Sequence, residues 1–359
     1  MSTRPLRAAV AGTSFGARIH VPALRAAGME VVALVGTDRE RTTRRAARLG
    51  VPAACGSLDE ALALGPDVVS LATPPATHAP LARAAVAAGC HVLCEKPFTL
   101  DAAEAADLVV AAAEAGVIGV VGHEFRFSHP QSLVWWALRR QVVGNPRLVL
   151  DLAFLPMLRH FAMPDWWFDP AAGGGWLGAA GSHRVDRLRQ WFGEIEAVSA
   201  SALSLADPPL GADDGFHLRC RLRGGAEAVL VQSAAAVGPA WSASRVLGTA
   251  GALWQEGDDV LIAGHDDPAG TPLPLPAELA LPELGPVDGP LAAMTRTELP
   301  PYVALASAMR RSIDGEPGGD GPRPATFADG LACMEVLAAA RRSAGDGGRW
   351  VELAAASGP

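Results

Sequence analysis

The sequence predicts an α/β protein in which a doubly wound parallel sheet is followed by an α+β domain with an open, mainly antiparallel sheet. Residues 1–124 alternate short apolar runs with alanine-rich helical segments. From residue 125 onward Gly, Pro and Trp become more frequent, and several segments alternate apolar and polar residues. A chain of 359 residues is long for one hydrophobic core, so we expect two domains, 1–124 and 125–359.

The first part is predicted to alternate strands and helices. Its strand segments show little polar alternation, as expected where both faces of a parallel sheet are covered. Glycines follow the helical segments, where helix C-caps commonly lie. The predicted strands are Leu6–Ala11, Val31–Val35, Val68–Ala72, Val92–Cys94 and Val117–Val121, and the predicted helices are Ala17–Ala27, Arg39–Leu49, Ala76–Ala88 and Ala102–Ala115.

The second part is predicted to form a mostly antiparallel sheet with a few helices. The pair Gly224-Gly225 between two alternating segments is typical of a β-hairpin. The predicted helices are Gln131–Arg140 and Thr326–Ser343, and the predicted strands are Arg147–Phe154, Ala197–Leu205, Phe216–Leu222, Ala226–Ser233, Trp241–Leu247 and Trp350–Leu353.

Charge and hydropathy exclude several classes of partner. The net charge is −8 at pH 7, and the sequence has no long basic run, which argues against a nucleic acid partner. No apolar stretch of roughly 20 residues is free of charged or turn residues, so we expect no membrane span and no membrane partner. The amino-terminal stretch lacks the layout of a signal peptide.

Cysteine and histidine spacing favours a reduced, metal-free protein. The five cysteines form no CxxC pair, which indicates reduced thiols and a cytoplasmic location. The segment HEFRF, residues 123–127, begins like a zinc-binding helix motif but has Phe127 where the second histidine is needed. We therefore expect no metal site.

The loop after the first predicted strand is a candidate phosphate-binding loop. The dinucleotide pattern is Gly-x-Gly-x-x-Gly/Ala after a strand and before a helix, and here Ser occupies the second glycine position. The serine hydroxyl can donate to a phosphate oxygen, and the helix N-terminus favours an anion. The alternative is an ordinary tight turn. The candidate cofactor-binding residues of this loop are Gly12, Thr13, Ser14, Phe15 and Gly16.

The end of the second predicted strand bears on the choice of dinucleotide. An acidic residue usually binds the ribose 2′-hydroxyl at this point. Here Gly36 and Thr37 stand there, Asp38 is displaced, and Arg39, Arg41 and Arg44 follow. Thr37 and Arg39 therefore favour NADP over NAD, since an arginine suits a 2′-phosphate. The alternative is that the arginines form a solvated helix face.

Four motifs together indicate a known family. They are GTSFGARIH, LATPPATH, HVLCEKPFTL and AGGGWLGAAGSHRVD, in this order and at this spacing. The sequence resembles the Gfo/Idh/MocA family, the glucose–fructose oxidoreductase and inositol dehydrogenase group. The resemblance implies a Rossmann domain, a C-terminal α/β domain with an open sheet, a nicotinamide cofactor, and a sugar- or polyol-like substrate. It also implies a sheet-to-sheet oligomer, expected here to be a homodimer or homotetramer.

The segment Glu95-Lys96-Pro97 is the candidate catalytic strand end. Pro97 keeps Lys96 extended, and the resemblance implies a cis bond between them. It also implies that Lys96 lies over the nicotinamide, where an ammonium group can stabilise a developing alkoxide. Glu95 is expected to turn toward the cofactor ribose. The alternative is a surface Glu–Lys pair.

The preceding strand end contributes further cofactor candidates. We expect Thr73 and Pro74 to lie along the cofactor. His78 begins the next predicted helix, where it either contacts the cofactor or makes a local capping hydrogen bond.

The glycine-rich motif of the second part supplies the second catalytic candidate, His183. The resemblance implies that this histidine is the general base and that a carboxylate precedes it by four residues, but that position holds Ala179. Asp186 either orients His183 or pairs with a neighbouring arginine. The sequence thus predicts an NAD(P)-dependent oxidoreductase that transfers hydride to or from a carbinol or carbonyl carbon. The alternatives are a lyase or decarboxylase that uses a bound nicotinamide internally, and a non-catalytic cofactor-binding protein.

Overall fold

The computed structural model describes residues 4–283, 285, 287, 289 and 291–354, so the first three residues of the amino-terminal stretch lie outside the described residues. The strands are β1 Arg7–Ala11, β2 Glu30–Val35, β3 Ala53–Cys55, β4 Val68–Leu71, β5 His91–Cys94, β6 Gly119–Val121, β7 Pro146–Phe154, β8 Ile195–Leu203, β9 Gly215–Leu222, β10 Glu227–Ser233, β11 Trp241–Gly248, β12 Gly251–Glu256, β13 Asp259–Gly264, β14 Thr271–Pro272, β15 Ala325–Thr326 and β16 Val351–Glu352.

The helices include two π-helical turns, Gly16–His20 and Leu177–Gly181, each followed directly by an α-helix. The α-helices are α1 Val21–Ala26, α2 Arg39–Leu49, α3 Leu58–Leu62, α4 His78–Ala87, α5 Ala102–Ala115, α6 His129–Arg139, α7 Met157–His160, α8 Ser182–Phe192, α9 Ala292–Ile313 and α10 Phe327–Gly345. None of the helices in the described part of the chain is both long enough and apolar enough to cross a bilayer.

The first sheet is doubly wound, as predicted. Its seven strands lie in the order β15-β6-β5-β4-β1-β2-β3, and all pair in parallel except β15, which runs antiparallel to β6. The chain order reverses between β1 and β4. Ligands of open α/β sheets bind at the carboxyl ends of the strands beside such a reversal. This edge is therefore where a cofactor site is expected.

The second sheet has nine strands in the order β14-β13-β12-β11-β7-β10-β9-β8-β16 and is mainly antiparallel, as predicted. The β10–β7 pair is its parallel pair. On β7 the residues Val149, Asp151 and Ala153 are buried, and the residues between them are more exposed. This alternation is typical of a sheet with one covered and one open face.

The chain divides into two compact units that a single boundary after residue 124 does not describe. The first unit runs to Ser128 and also contains Ala280–Leu331, whereas the second contains His129–Leu279 and the residues from Ala332 onward. The returning segment belongs to the first unit because β15 extends the first sheet and α9 packs against α1. Neither long-range contact has a local sequence signal.

Helix α9 is the largest element that the sequence patterns do not predict. Pro300 and Pro301 lie inside it, and proline in a helix interior ordinarily indicates a break. Tertiary packing outweighs that tendency here, because Tyr302, Leu305 and Met309 are fully buried in the core of the first unit. The short elements β3 and β12–β14 were also not predicted. The capping-box pattern from Ser57 to Glu60 does mark the start of α3.

Candidate active site

The phosphate loop after β1 has the backbone that a dinucleotide requires. Gly12 has a φ of 116°, and a Cβ atom there would lie 2.1 Å from the carbonyl oxygen of Ala72. A Cβ atom on Gly16 would lie 3.0 Å from the Val10 side chain, so this turn is closely packed. Among the described residues, no side chain caps the helical turn that begins after Phe15, and Ser14 is exposed. The residues present therefore fit a bound pyrophosphate.

Thr13 links the phosphate loop to the second strand and helix. A Cβ on Gly36 would lie 2.5 Å from Thr13 Cγ2 and 2.6 Å from Thr42 Oγ1, so only glycine fits between them. The guanidinium group of Arg45 donates a hydrogen bond to the carbonyl oxygen of Thr13. The buried Thr13 is thus held from two sides, and its role in the loop includes this packing.

The residues after β2 remain accessible to a ribose 2′-substituent. Thr37 and Arg39 are exposed, and Arg39 forms an ion pair with Glu60 at 3.4 Å. Asp38 caps α2 by accepting a hydrogen bond from the backbone N–H of Arg41 at 2.9 Å. The Asp38 carboxylate is therefore used as the N-cap of α2. Thr37 and Arg39 are then the side chains nearest to the position where a ribose-binding acid usually lies.

Phe15 packs against two aromatic rings that the sequence patterns did not connect with it. Its ring centroid lies 5.4 Å from that of His20 and 5.6 Å from that of Tyr302, both in edge-on geometry. The Arg18 guanidinium lies 5.4 Å from the Phe15 centroid and forms an ion pair with Glu298 at 3.1 Å. Phe15 therefore joins the phosphate loop to helix α9.

His78 joins two strand ends and does not reach outward. Its imidazole is fully buried, with Nδ1 3.0 Å from the carbonyl oxygen of Pro97 and Nε2 2.8 Å from that of Thr73. Burial lowers the pKa of His78, although both carbonyl contacts oppose that shift. The ring is therefore a local tie between the loop of Thr73 and Pro74 and the turn after Lys96. A direct side-chain contact with the cofactor does not fit this burial.

Lys96 is the only lysine in the sequence; the other 29 of the 30 lysine and arginine residues are arginines. It follows β5 at the carboxyl edge of the first sheet, and its bond to Pro97 is cis, as the resemblance implied. Its side chain is partly buried. A chain that otherwise uses arginine throughout thus keeps lysine at the one position where a small, protonatable ammonium group is expected to act.

Glu95 faces the protein interior and does not turn outward to a ribose as we had expected. The residue is 7% exposed, and its Oε1 atom accepts hydrogen bonds from His20 Nε2 at 3.1 Å and from the Tyr302 hydroxyl. Its Oε2 atom lies 3.3 Å from the backbone nitrogen of Lys96. Burial alone would raise the pKa of Glu95, but His20, Lys96 and Tyr302 lower it below its ordinary value.

The sequence patterns missed this buried network, which continues from Glu95 through His20 to Ser70. His20 Nδ1 lies 2.6 Å from Ser70 Oγ, and all three groups are buried. Tyr302 comes from α9, which had not been predicted. His20 ends a π-helical turn, a feature often found at functional sites, and its place in GARIH was the available signal.

Two further carboxyl groups lie in the electrostatic surroundings of Lys96. Glu124 follows β6 and is 3% exposed, and burial together with Glu95 raises its pKa well above the ordinary value. Burial also raises the pKa of Glu298, on α9. Gly122 makes room for the group, since a Cβ there would lie 2.5 Å from Glu95 Oε1. Of these three carboxyl groups, Glu95 is therefore the one whose surroundings favour the ionised form.

In the second unit, His183 is the second residue of α8 and is partly buried. The π-helical turn before it is held by Asp213, whose Oδ2 atom accepts a hydrogen bond from the backbone N–H of Leu177 at 2.7 Å. Gly175 is required beside it, because its φ is 94° and a Cβ would lie 2.2 Å from Asp213 Oδ1. Ala179 lies within this turn and is 4% exposed.

The charged residues of α8 are held by specific partners. Arg187 is buried and forms an ion pair with Asp151 on β7. Arg189 binds Glu194 through two hydrogen bonds, of 3.0 and 2.7 Å. Asp186 is also buried. The helix that carries His183 is thus anchored to β7 beneath it.

The fold and the strand-end residues of the first unit are those of an NAD-binding Rossmann domain. The sequence matches the family described as "Oxidoreductase family, NAD-binding Rossmann fold" over residues 6–123 and the "GFO/IDH/MocA C-terminal domain" over residues 136–254. The chain therefore belongs to the GFO/IDH/MocA family, as the motifs had indicated.

Relatives of known activity support the same class. The chain is 33% identical over 212 residues to 1,5-anhydro-D-fructose reductase of Ensifer adhaerens, a match that covers 57% of this chain and 62% of the relative. It is 31% identical over 206 residues to D-xylose 1-dehydrogenase (NADP(+)) 2 of Haloferax volcanii, covering 55% and 61%. These matches thus span less than two thirds of either relative.

The fold also matches solved structures. Levoglucosan dehydrogenase in complex with NADH and levoglucosan superposes with a TM-score of 0.83 over 98% of this chain and 100% of that one, at 20% identity. At this identity the likeness shows a shared fold.

Proposed function

We propose that the protein is an NAD(P)-dependent oxidoreductase that transfers hydride between the nicotinamide and a carbinol or carbonyl carbon of a small molecule. The observation that carries this proposal is the position of Lys96. The only lysine of the chain follows β5, at the cofactor edge of the first sheet, next to a buried and ionised Glu95. Membership of the GFO/IDH/MocA family supports the same activity.

The proposed roles follow from the chemistry of each side chain. The nicotinamide, when bound, supplies the hydride acceptor or donor. The Lys96 ammonium group donates a hydrogen bond to the reacting oxygen and stabilises the negative charge that develops on it. His183 is the proposed general base, because an imidazole takes up a proton near neutral pH. Gly12, Ser14 and Gly16 hold the pyrophosphate, and Thr73 and Pro74 border the cofactor.

We propose a sugar or polyol as the substrate class. The names of the relatives above support this proposal, since they act on anhydrofructose and xylose. The test is a panel of sugars and polyols offered to the purified protein with NAD⁺ or NADP⁺, followed at the nicotinamide absorbance band. Turnover by the wild type that is lost in Lys96→Met supports the proposal, and turnover that survives this substitution contradicts it.

A second candidate function is a lyase or decarboxylase in which the nicotinamide is reduced and reoxidised within one turnover. The alanine at position 179 favours it, because a carboxylate is expected there in the dehydrogenases of the resembling family. A single-turnover spectrum separates the two reactions: net reduction of the cofactor indicates a dehydrogenase, whereas product formation without net reduction indicates the lyase. Cofactor binding without any product would indicate a non-catalytic protein.

We further propose that the protein is a homodimer or homotetramer formed through the open face of the second sheet. Phe154 on β7 and Trp241 on β11 are 36% and 48% exposed and stack with centroids 5.6 Å apart. Leu150 and Leu152 point to the same face of β7, since they alternate with buried residues. Apolar side chains exposed in this way on an open sheet face favour association with a second copy.

Sedimentation velocity at micromolar concentration tests this assembly. We expect the wild type to sediment as a dimer or tetramer and Trp241→Glu to dissociate while still binding NADH. Glu114→Gln, at an exposed glutamate of α5 in the first unit, is the control that should leave the assembly unchanged. A wild-type monomer would contradict the proposal.

The five cysteines support a proposed location in the reducing cytoplasm. Cys55, Cys90, Cys94, Cys220 and Cys333 are all buried free thiols. Fractionation of cells that express the full-length protein tests this location.

A further inference from the structure

The single tyrosine of the chain contacts the residue that precedes the single lysine. The sequence contains one tyrosine, Tyr302, but ten phenylalanines and nine tryptophans. A core position that only had to be filled by a ring could hold phenylalanine. What distinguishes Tyr302 is its hydroxyl group, and this group donates a hydrogen bond to Glu95.

The hydrogen bonds around Glu95 come from separate parts of the first unit. Tyr302 lies on α9 and is fully buried, and its hydroxyl oxygen is also 3.5 Å from the carbonyl oxygen of Gly122. His20 reaches the same carboxylate oxygen from the π-helical turn after the phosphate loop. The other oxygen faces the backbone nitrogen of Lys96. The carboxylate orientation is therefore set by long-range contacts.

The charges in this network support a fixed anion at Glu95. Burial, with Glu124 and Glu95 adding to it, raises the pKa of Tyr302 well above its ordinary value, so the hydroxyl remains a donor. Hydrogen bonds to the charged form of a carboxyl group favour that form. The other titratable groups near Glu95 include His20, His78, Cys94, Lys96, Glu124 and Glu298.

We infer that Tyr302 is a positioning residue for Lys96, because its hydroxyl group and the His20 ring together fix the carboxylate of the residue immediately before that lysine. The fixed anion gives the ammonium group a counter-charge at one defined position. An ammonium group that must meet a reacting oxygen gains from such preorganisation. The inference rests on the proposed role of Lys96 in hydride transfer.

The test is Tyr302→Phe, which keeps the ring that packs against Phe15 and removes only the hydroxyl group. Because Lys96 is the only lysine, protein labelled with ¹³Cε-lysine gives one side-chain signal, whose pH titration also reports the ionisation of Glu95. The Glu95 carboxylate loses one hydrogen-bond donor in this variant. The acid-side inflection of the Lys96 signal should therefore move to a higher pH, by roughly one unit. Turnover of the substrate found in the sugar panel should fall about tenfold while the Kd for NADH stays unchanged.

Thr295→Val is the matched control, since it removes another buried hydroxyl of α9 that contacts Arg18 and Leu291 rather than Glu95. This variant should leave the Lys96 titration as in the wild type. Glu124→Gln identifies any inflection that arises from that neighbouring carboxyl group. A Tyr302→Phe protein whose Lys96 signal and turnover match those of the wild type would overturn the inference.

A second measurement, on the wild-type protein, tests the inference if the Tyr302→Phe variant does not fold. Wild-type protein labelled with ¹³Cζ-tyrosine also gives one signal, and this signal should shift at the same acid-side pH as that of Lys96. Independent titrations would overturn the inference. Neither titration requires turnover, so an inactive wild type or a fully active Lys96→Met variant would contradict the proposed function without deciding whether Tyr302 and Lys96 are coupled.

Discussion

The strand end at Lys96 and the helix start at His183 carry the two proposed catalytic residues, and they are built differently. Beside Lys96, the protein supplies a charged carboxylate with donors from distant segments, and every member of that network is buried. Before His183, the chain supplies small residues, Gly178, Ala179, Ala180 and Gly181, in a π-helical turn. Buried polar side chains surround the first region, whereas the turn in the second region consists of small residues and is held by the Asp213 carboxylate.

Because of this difference, we expect the region around Lys96 to determine the chemical step and the region around His183 to determine the substrate. A buried, fully hydrogen-bonded network resists change, because removing one partner leaves a buried polar group unsatisfied. The charge next to Lys96 is therefore suited to a step common to many substrates. The turn before His183 holds alanine at a position where the resembling family has an acid, so we expect substitutions there to change which substrate groups are accepted.

Replacing Lys96 should have the largest effect on turnover. We expect Lys96→Ala to lower kcat by about 10³, because loss of one preorganised donor to a developing oxyanion typically has this effect. The phosphate loop follows β1 and is not altered, so the Kd for NADH measured by calorimetry should change little. Lys96→Arg keeps the positive charge but not the compact ammonium group, and it should also be slow. Near-normal turnover by Lys96→Ala would place the chemistry elsewhere.

Replacing His183 should have a smaller effect that depends on pH. General-base catalysis typically contributes 10² or more, so we expect His183→Ala to lower kcat by about 10². The deficit should shrink at high pH, where hydroxide can accept the substrate proton. His160→Ala, at an exposed histidine of α7 in the same unit, is the control and should behave as the wild type. A deficit that is the same at all pH values would argue against a base.

The same two regions show how far the sequence alone leads. The run Val92–Cys94 followed by Glu95, Lys96 and Pro97 is a local pattern, and the structure has β5 ending there as predicted. The partners of Glu95 are remote: the hydrogen bond from Tyr302 joins residues 207 positions apart. Local periodicity carries no information on such a contact, so the expectation that Glu95 turns toward the cofactor ribose did not include its buried partners.

His78 follows one of its two expected alternatives, whereas helix α9 was not predicted. His78 was expected either to contact the cofactor or to make a local hydrogen bond, and its buried ring bonds backbone carbonyls on both sides. Helix α9 was missed because Pro300 and Pro301 lie inside it. Both outcomes depend on burial, which a single sequence does not report for one histidine or one proline pair.

Introducing a carboxylate at position 179 tests the role of the turn before His183. If the turn differs from the resembling family only by this residue, Ala179→Asp should raise turnover of simple polyols by roughly tenfold, since a hydrogen bond to a charged group can orient the imidazole. Ala180→Asp, at the neighbouring and less buried position, is the control that should give no gain. Unchanged turnover of every substrate by Ala179→Asp would mean that position 179 does not border the site.

Replacing Arg39 should have the smallest effect, confined to one cofactor. Arg39 is exposed and its ion pair with Glu60 is long, so a 2′-phosphate can compete for the guanidinium group at little cost in stability. We expect Arg39→Ala to weaken NADP binding by about tenfold, because hydrogen bonds between charged groups contribute roughly this much. NAD has no 2′-phosphate, so its Kd should not change. Arg44→Ala, which removes an exposed arginine paired with Glu40 on the same helix, is the control for lost positive charge. Calorimetric titration of both cofactors decides the outcome.

Equal affinities of the wild type for NAD and NADP would mean that these arginines form a solvated helix face. A loss of NADP affinity of the same size in Arg44→Ala would mean the same. The edge of the sheet after β2 would then bind the ribose without distinguishing a 2′-hydroxyl from a 2′-phosphate.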